Sequence, residues 1–293
     1  MAIGKRKPVL GIALGGGGAR GITHIGVLKI LEAEGIHPQI LAGTSMGGII
    51  AALYASGMSI AEIKEEADRL GNLNTMIKLL DNDLTNFDFV AKHDNVVEYL
   101  RGLFKDVKSF SDLKIPLSVA AVDVMTASDV ALQEGDLAEA VSATMALPGV
   151  IEPLRRDGQC LVDGGSLNNV PADLAESMGA EVVVAVDVSP DVTNEDFWKE
   201  QRMPGIAMAN WRTNAIMVAN FTAAKLRKAR TDIVIRPEID YQITTLSGFK
   251  HVDKLVDAGA KAALNVLPEL RKLLKPRLFL TDPKINKAEP ADL

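Results

Sequence analysis

Three groupings in this 293-residue chain have residue types and spacing that could do chemistry. The first is Gly15-Gly16-Gly17-Gly18-Ala19-Arg20-Gly21, set between the apolar run Val9 to Leu14 and a stretch of helical periodicity. Such a loop lets the backbone approach a ligand closely, and free N–H groups at the start of a helix favour negative charge. It implies an anion site, and the motif leaves open whether the anion is a phosphate or a transient oxyanion. The second is Gly43-Thr44-Ser45-Met46-Gly47, a G-x-S-x-G pattern on a predicted strand-to-helix turn. Small flanking residues there permit a strained backbone that lifts a Ser hydroxyl above a sheet as a nucleophile, although Ser45 could also serve as a plain helix N-cap. The third is Asp163-Gly164-Gly165, a carboxylate on a tight turn after the apolar run Cys160 to Val162.

A nucleophilic Ser needs a base, usually His. His24, His37, His93 and His251 have no distinctive setting, which turns attention to carboxylates. Asp163, Asp123 and Asp187 all end predicted strands, and spacing alone leaves the three open. An Asp near its ordinary pKa of about 4 is a weak base, so the site would require burial to raise it or proton transfer at close range. A dinucleotide site would instead ask for an acidic residue about 20 positions beyond the glycine loop, at the end of the next strand. That strand ends in Leu41, Ala42 and Gly43, and the carboxylate is missing.

The elements that must hold these groups alternate between strand and helix. Val9 to Leu14 reads as a strand, and Ile22, Ile25, Leu28 and Leu31 recur at helical spacing until Gly35. Gln39 to Ala42 is a second strand, a helix carries Ile49 to Tyr54, and Ser59 with Glu62 forms a capping box for the next helix. Residues 72 to 110 read as short helices, Pro116 to Val124 and Val130 to Gln133 as strands, and Asp136 to Met145 as a helix. Asp157-Gly158 predicts a hairpin turn within Pro153 to Val162. Val182 to Val188 is β-branched and apolar enough for a strand buried on both faces. Met208 to Val218 marks a long helix, Ile233 to Ile235 a late strand, and Phe249 to Leu274 helical material. The expected fold class is α/β, with a mostly parallel central sheet and helices on both faces, in one domain over residues 1–275 followed by a loosely held tail at 276–293.

The three groupings, in this order, resemble the signature blocks of the patatin-like phospholipase family. The stretch Ser142 to Pro153, with Ala146-Leu147-Pro148-Gly149 inside it, is similar to the family's segment before its aspartate, with Ile151 and Glu152 where an aromatic and a proline are frequent. The resemblance spans about residues 8 to 190 and is closest to short bacterial members. It implies a patatin-like three-layer sandwich and a Ser-Asp dyad without histidine, with Ser45 as nucleophile and Asp163 as base. It selects Asp163 over Asp123 and Asp187. It also implies an oxyanion hole at Gly16, Gly17 and Gly18, in which Gly17 and Gly18 donate and Gly16 shapes the turn. Arg20, Gly21, Gly43, Gly47, Gly164 and Gly165 are then motif support. The implied activity is hydrolysis of lipid acyl esters through an acyl-enzyme, with no metal or cofactor. An acyl chain needs an apolar channel, and residues 72 to 110, or Phe197, Trp198, Met203, Met208 and Trp211, could cover one.

Composition narrows the remaining classes. With 47% hydrophobic and 24% charged residues the chain is a folded protein, and a net charge of −6 has the wrong sign for a nucleic-acid partner. Basic groupings at Lys5 to Lys7, at Lys225, Arg227, Lys228 and Arg230, and at Arg271, Lys272, Lys275 and Arg277 could touch anionic lipid heads or be solvated helix ends. Cys160 is the only cysteine, no Cys/His cluster has zinc spacing, and no apolar stretch reaches a membrane span. The start of the chain has neither a long enough apolar run for a signal peptide nor a glycine at position 2. A cytoplasmic protein is expected, with a lipid or ester substrate as partner and peripheral contact at the inner membrane face following only from that substrate. A nucleotide-binding protein that uses the glycine loop, or a non-catalytic regulator on the same fold, are the alternatives.

Overall fold

The computed structural model describes residues 2–70, 91–194, 205–240, 243 and 247–281. Ten strands are present among them: β1 (Ala2–Arg6), β2 (Leu10–Leu14), β3 (Ile40–Gly43), β4 (Leu117–Asp123), β5 (Ser128–Leu132), β6 (Leu154–Arg156), β7 (Gln159–Asp163), β8 (Val182–Val186), β9 (Ile233–Ile235) and β10 (Arg277–Thr281). The helices are α1 (Thr23–Ala33), α2 (Met46–Ala55), α3 (Ile60–Leu70), α4 (His93–Phe104), α5 (Leu137–Thr144), α6 (Gly165–Asn168), α7 (Ala172–Ser177), α8 (Gly205–Lys228) and α9 (Val252–Leu273). The central sheet runs β6-β7-β4-β3-β2-β8-β9, with β5 paired to β4. Its middle, from β4 to β9, is parallel, whereas β5 and β7 are antiparallel to β4.

Period-two alternation explains the layers. Leu10, Ile12, Leu14, Leu41, Val182, Val184 and Val186 point to one side of the sheet and pack with α1 to α5 and α9. Ala13, Ile40, Ala42, Val183 and Ala185 point to the other, against Ala172 and Ala175 of α7 and Leu226 of α8. Both faces are covered, which is why β8 reads as an unbroken apolar run rather than an alternating one. The result is an α/β sandwich of three layers.

Local signals act where expected. The Ser59 hydroxyl accepts from the Glu62 amide at 3.3 Å while the Glu62 carboxylate accepts from the Ser59 amide at 2.9 Å, closing the capping box of α3. Asp157 and Gly158 both adopt positive φ, 50° and 79°, as a two-residue turn between β6 and β7 demands. Asp136 caps α5 by accepting from the Glu139 amide at 2.9 Å. Of residues 72–110, the stretch up to 90 lies outside the described residues, and the remainder contains α4 and a 3-10 turn at Phe110–Asp112. Within the expected tail, residues Arg277–Thr281 form β10, which pairs antiparallel with β1 from Ala2 opposite Thr281 to Arg6 opposite Arg277, and 282–293 lie outside the described residues. Five residues of mixed apolar and basic type gave no period strong enough to separate a short edge strand from a tail.

Helices α1 and α9 cross at a contact made of glycine. A Cβ on Gly26 would overlap the Val256 carbonyl, and a Cβ on Gly259 would overlap the Thr23 carbonyl, so each helix approaches the other to backbone contact. Neither clash can be relieved by rotating a side chain. Gly26→Ala and Gly259→Ala should each lower stability by about 1–3 kcal/mol. Because both act on one crossing, the double variant should fall short of the sum in urea denaturation.

Candidate functional site

Strand β5 pairs with residues 119–123 of β4 and occupies one edge of that strand. Two strands share the other edge. Strand β3 runs along it in parallel and stops with Gly43 opposite Val119, whereas β7 approaches in the reverse direction and stops with Asp163 opposite Ala121. The two strand ends face each other across Ala120, so the chain delivers Ser45 and Asp163 to the same point from opposite directions.

The Ala120 carbonyl faces this gap without a strand partner there. It accepts a hydrogen bond from the Thr144 hydroxyl, which in turn accepts from the Ser45 amide at 3.0 Å. A Cβ on Gly164 would overlap the same carbonyl, so the turn after Asp163 can pass over β4 only as glycine. Ser45 itself has φ 54° and ψ −127°, a conformation that costs roughly 1–3 kcal/mol for a residue with a Cβ. Its neighbours impose it. A Cβ on Gly47 would overlap the Leu14 carbonyl, and one on Gly43 would lie 2.6 Å from the Gly48 Cα, so α2 starts in direct backbone contact with β2 and β3. The tight start forces the serine outward as an elbow.

The Asp163 carboxylate is buried, and the Ser45 side chain lies near enough to pull its pKa down. It also accepts from the Gly165 amide at 2.8 Å. Burial dominates and raises its pKa to about 6, against the Ser45 side chain and the Gly165 amide, which favour the ionised form. Asp123 and Asp187 are engaged elsewhere. Asp123 closes its own turn by accepting from the Met125 and Cys160 amides and the Thr126 hydroxyl, bonds that hold its carboxyl below the usual range. Asp187 accepts from the Ser189 amide and pairs with Arg236 at 3.2 Å.

The glycine loop lies against the serine, since a Cβ on Gly16 would come 3.2 Å from the Ser45 Cβ. Its amides divide by use. Gly15 donates to the Val186 carbonyl at 3.0 Å and Gly16 to the Asn169 carbonyl at 2.9 Å, whereas the Gly17 and Gly18 amides donate to nothing among the described residues. Gly18 turns the chain with φ 54° into the 3-10 segment Gly18–Ile22, and Gly21 passes against Met46, whose Cγ would lie 2.6 Å from a Cβ there. Arg20 is buried and does not face the gap. Its Nε donates to the Val188 carbonyl at 2.8 Å and its Nη groups reach the Ser189 and Ile243 carbonyls at 3.4 Å, strapping the segment after β8 to the loop. Burial pulls its pKa down to about 10, with Asp187 opposing.

Three positioning residues had not been singled out for a role. Thr144 links Ser45 to β4, as described above. Asn169 holds both sides of the Gly16 peptide unit: its carbonyl takes the Gly16 amide, and its Nδ2 donates to the Gly16 carbonyl at 3.3 Å and to the Ser189 hydroxyl at 3.0 Å. The His24 Nε2 lies 2.7 Å from the Gly15 carbonyl, and since a carbonyl only accepts, Nε2 carries the proton. Complete burial lowers this ring's pKa to about 4, leaving it a neutral brace for the loop. His93 bonds Ser142 through Nδ1 at 3.0 Å. Asn168-Asn169 directly follow the Asp163 turn, the one signal in the sequence that could have marked Asn169. The channel-covering candidates Phe197, Trp198 and Met203 lie outside the described residues.

Comparison with known proteins bears on the family and the fold. The family model described as patatin-like phospholipase matches residues 12–176, more than half of the chain. Human patatin-like phospholipase domain-containing protein 6 is 39% identical over 191 residues, covering 63% of this chain and 14% of that protein. An uncharacterised NTE family protein of Mycobacterium bovis is 32% identical over 203 residues, covering 66% of this chain and 55% of its own length. The chain thus spans a small part of the first and about half of the second. Among solved structures, VipD from Legionella pneumophila superposes with a TM-score of 0.56 at 17% identity, covering 94% of this chain and 68% of that one. ExoU from Pseudomonas aeruginosa, in its complex with SpcU, gives 0.51 at 14% identity, covering 94% of this chain and 55% of the other. At such identities the likeness is one of fold. With the family model running from β2 through the glycine loop, the serine elbow and the Asp163 turn into α7, the chain belongs to the patatin-like phospholipase family.

Proposed function

We propose that this chain is a serine acyl hydrolase acting on lipid esters, with Ser45 as nucleophile, Asp163 as general base and the Gly17 and Gly18 amides as the oxyanion hole. The observation that carries the reading is the convergence of the Ser45 elbow and the buried Asp163 carboxylate on the two sides of Ala120, beside two amides that donate to nothing among the described residues. In the first step Asp163 takes the hydroxyl proton as Ser45 Oγ attacks the ester carbonyl carbon, and the amides stabilise the resulting oxyanion. The tetrahedral intermediate collapses with loss of the alcohol, which receives the proton from Asp163, leaving an acyl-serine. Water then attacks, Asp163 again accepts and returns the proton, and a fatty acid leaves.

The raised pKa serves this chemistry. A carboxyl at about 6 is mostly ionised at pH 7 yet is a far stronger base than a solvated aspartate. A nucleotide site at the same loop would use a cradle of several amides, and those of Gly15 and Gly16 are already bonded to backbone carbonyls. Arg20 is likewise committed to carbonyls, so it offers no cation to a phosphate.

Fluorophosphonate labelling with peptide mapping should mark Ser45, and Ser45→Ala should abolish both labelling and ester turnover. Asp163→Asn should lower kcat/KM by about 10²–10⁴-fold. In the parent, kcat/KM should rise with pH through a midpoint near 6 as Asp163 ionises. The stability effect runs the other way: a raised carboxyl favours the folded state below about pH 4, and that contribution is lost as pH rises through 6. Thermal unfolding at pH 8 should therefore leave Asp163→Asn at least as stable as the parent. Labelling that persists in Ser45→Ala, or an unchanged rate in Asp163→Asn, contradicts the assignment.

Asn169→Ala tests the loop's support. Freeing Gly16 should misplace the donors and reduce kcat by up to about 10²-fold with KM little changed. An unaltered kcat would show that the loop holds its shape without the clamp.

A further inference from the structure

Helix α8 is longer than the sheet it crosses. It connects β8 to its parallel neighbour β9 and therefore runs back against the strand direction. Its 24 residues span about 36 Å at 1.5 Å per residue, whereas five-residue β8 spans about 17 Å. Only its last turns are fully seated on the body, while Trp211, Ala215, Val218 and Ala219 on the same stripe are half-buried. Thr222 and Leu226 are buried, and no described side chain from Gly205 to Phe221 is. The first four turns consequently rise past the C-terminal edge of the parallel strands, the edge from which Ser45 projects.

The residues on that overhang are unlike an ordinary solvated helix. Ile206, Met217 and Phe221 are 83%, 51% and 46% exposed, and with Lys228 they share one face at 100° per residue, opposite Thr222 and Leu226. Ile216 and Arg227 flank that face and are exposed too. The helix has no Asp or Glu among its 24 residues, where the chain's average would put about three, and it carries Arg212, Lys225, Arg227 and Lys228. Lys225 pairs with Asp129 and Asp173, which fixes the helix beside β5 and the β4–β5 turn. That turn sits on the same sheet edge and exposes Val124 by 51% and Met125 by 67%.

We propose that the overhanging face of α8, with the β4–β5 turn, lies on a lipid surface bearing anionic headgroups and brings the Ser45 edge against it. Exposed large apolar side chains beside cations, on a helix with no carboxylate of its own, fit the boundary between headgroup and acyl chain, and among the described residues no helix is long and apolar enough to cross a membrane. A second copy of the chain fits less well, because two copies meeting by this face would bring cations together with no carboxylate from α8 to meet them. The proposal rests on the lipid-hydrolase reading for its purpose, and binding is measured apart from turnover.

The test is co-sedimentation with vesicles of phosphatidylcholine alone and with about one third phosphatidylglycerol. The parent, Met217→Glu/Phe221→Glu, Arg227→Glu/Lys228→Glu and the single variant Ile206→Asp are compared. Thermal unfolding and hydrolysis of a water-soluble p-nitrophenyl ester serve as controls. The parent should sediment with the anionic vesicles. The Met217/Phe221 pair should bind at least about tenfold more weakly, and the Arg227/Lys228 pair should lose the preference for anionic lipid. Unfolding and soluble-ester turnover should be unchanged; should the double variants be unstable, Ile206→Asp in the most exposed turn must show the same loss. Absence of parent binding, binding unchanged in folded variants, or a stable dimer that hides this face would overturn the proposal. Absence of soluble-ester turnover in every protein would instead count against the hydrolase reading and leave the vesicle result to stand by itself.

Discussion

The short stretch of β4 around Ala120 is the constraint on which the site depends. A strand edge normally serves one neighbour, but here β3 leaves it at Val119 and β7 arrives at Ala121 from the other direction. The carbonyl left between them would be a buried acceptor without a donor, a costly state inside a protein. The Thr144 hydroxyl fills that vacancy and uses its own lone pair to hold the Ser45 amide. One hydroxyl thus satisfies the sheet and sets the height of the serine. The opposed strand ends explain how residues 118 positions apart in sequence meet without any long loop to bring them together.

Electrostatics at this point are set by burial. Among the described residues no positive side chain contributes to the raised pKa of Asp163, whose shift comes from burial against the Ser45 side chain and the Gly165 amide. A charged partner would pull the carboxyl down and make it a poor proton acceptor. Arg20, buried at the glycine loop, is instead spent on the carbonyls of Val188, Ser189 and Ile243. The buried His24 is similarly occupied, its Nε2 donating to the Gly15 carbonyl and its pKa far below neutrality. Both conventional helpers of hydrolytic chemistry act here as struts for the glycine loop.

Much of this is legible in the sequence. Alternation and β-branched runs located the sheet, and the glycines of the serine motif marked where backbones must touch. What could not be read was anything that depends on pairing across the chain. Asp123, Asp163 and Asp187 look alike locally, and only the family resemblance separated them; structurally the difference is which strand edge each one reaches. Thr144 sits in an unremarkable helix end and Asn169 in a polar pair, so their contacts with Ser45 and Gly16 have no local signature. The strand β10 was missed for the same reason, since its partner is at the far end of the chain.

The most direct test of the account is a crystal structure of the protein after reaction with a fluorophosphonate. The account predicts phosphorus bonded to Ser45 Oγ, the phosphoryl oxygen within hydrogen-bond distance of the Gly17 and Gly18 amides, and the Asp163 carboxylate beside Ser45 Oγ. A phosphoryl oxygen turned to solvent, or an Asp163 side chain withdrawn from the serine, would contradict it.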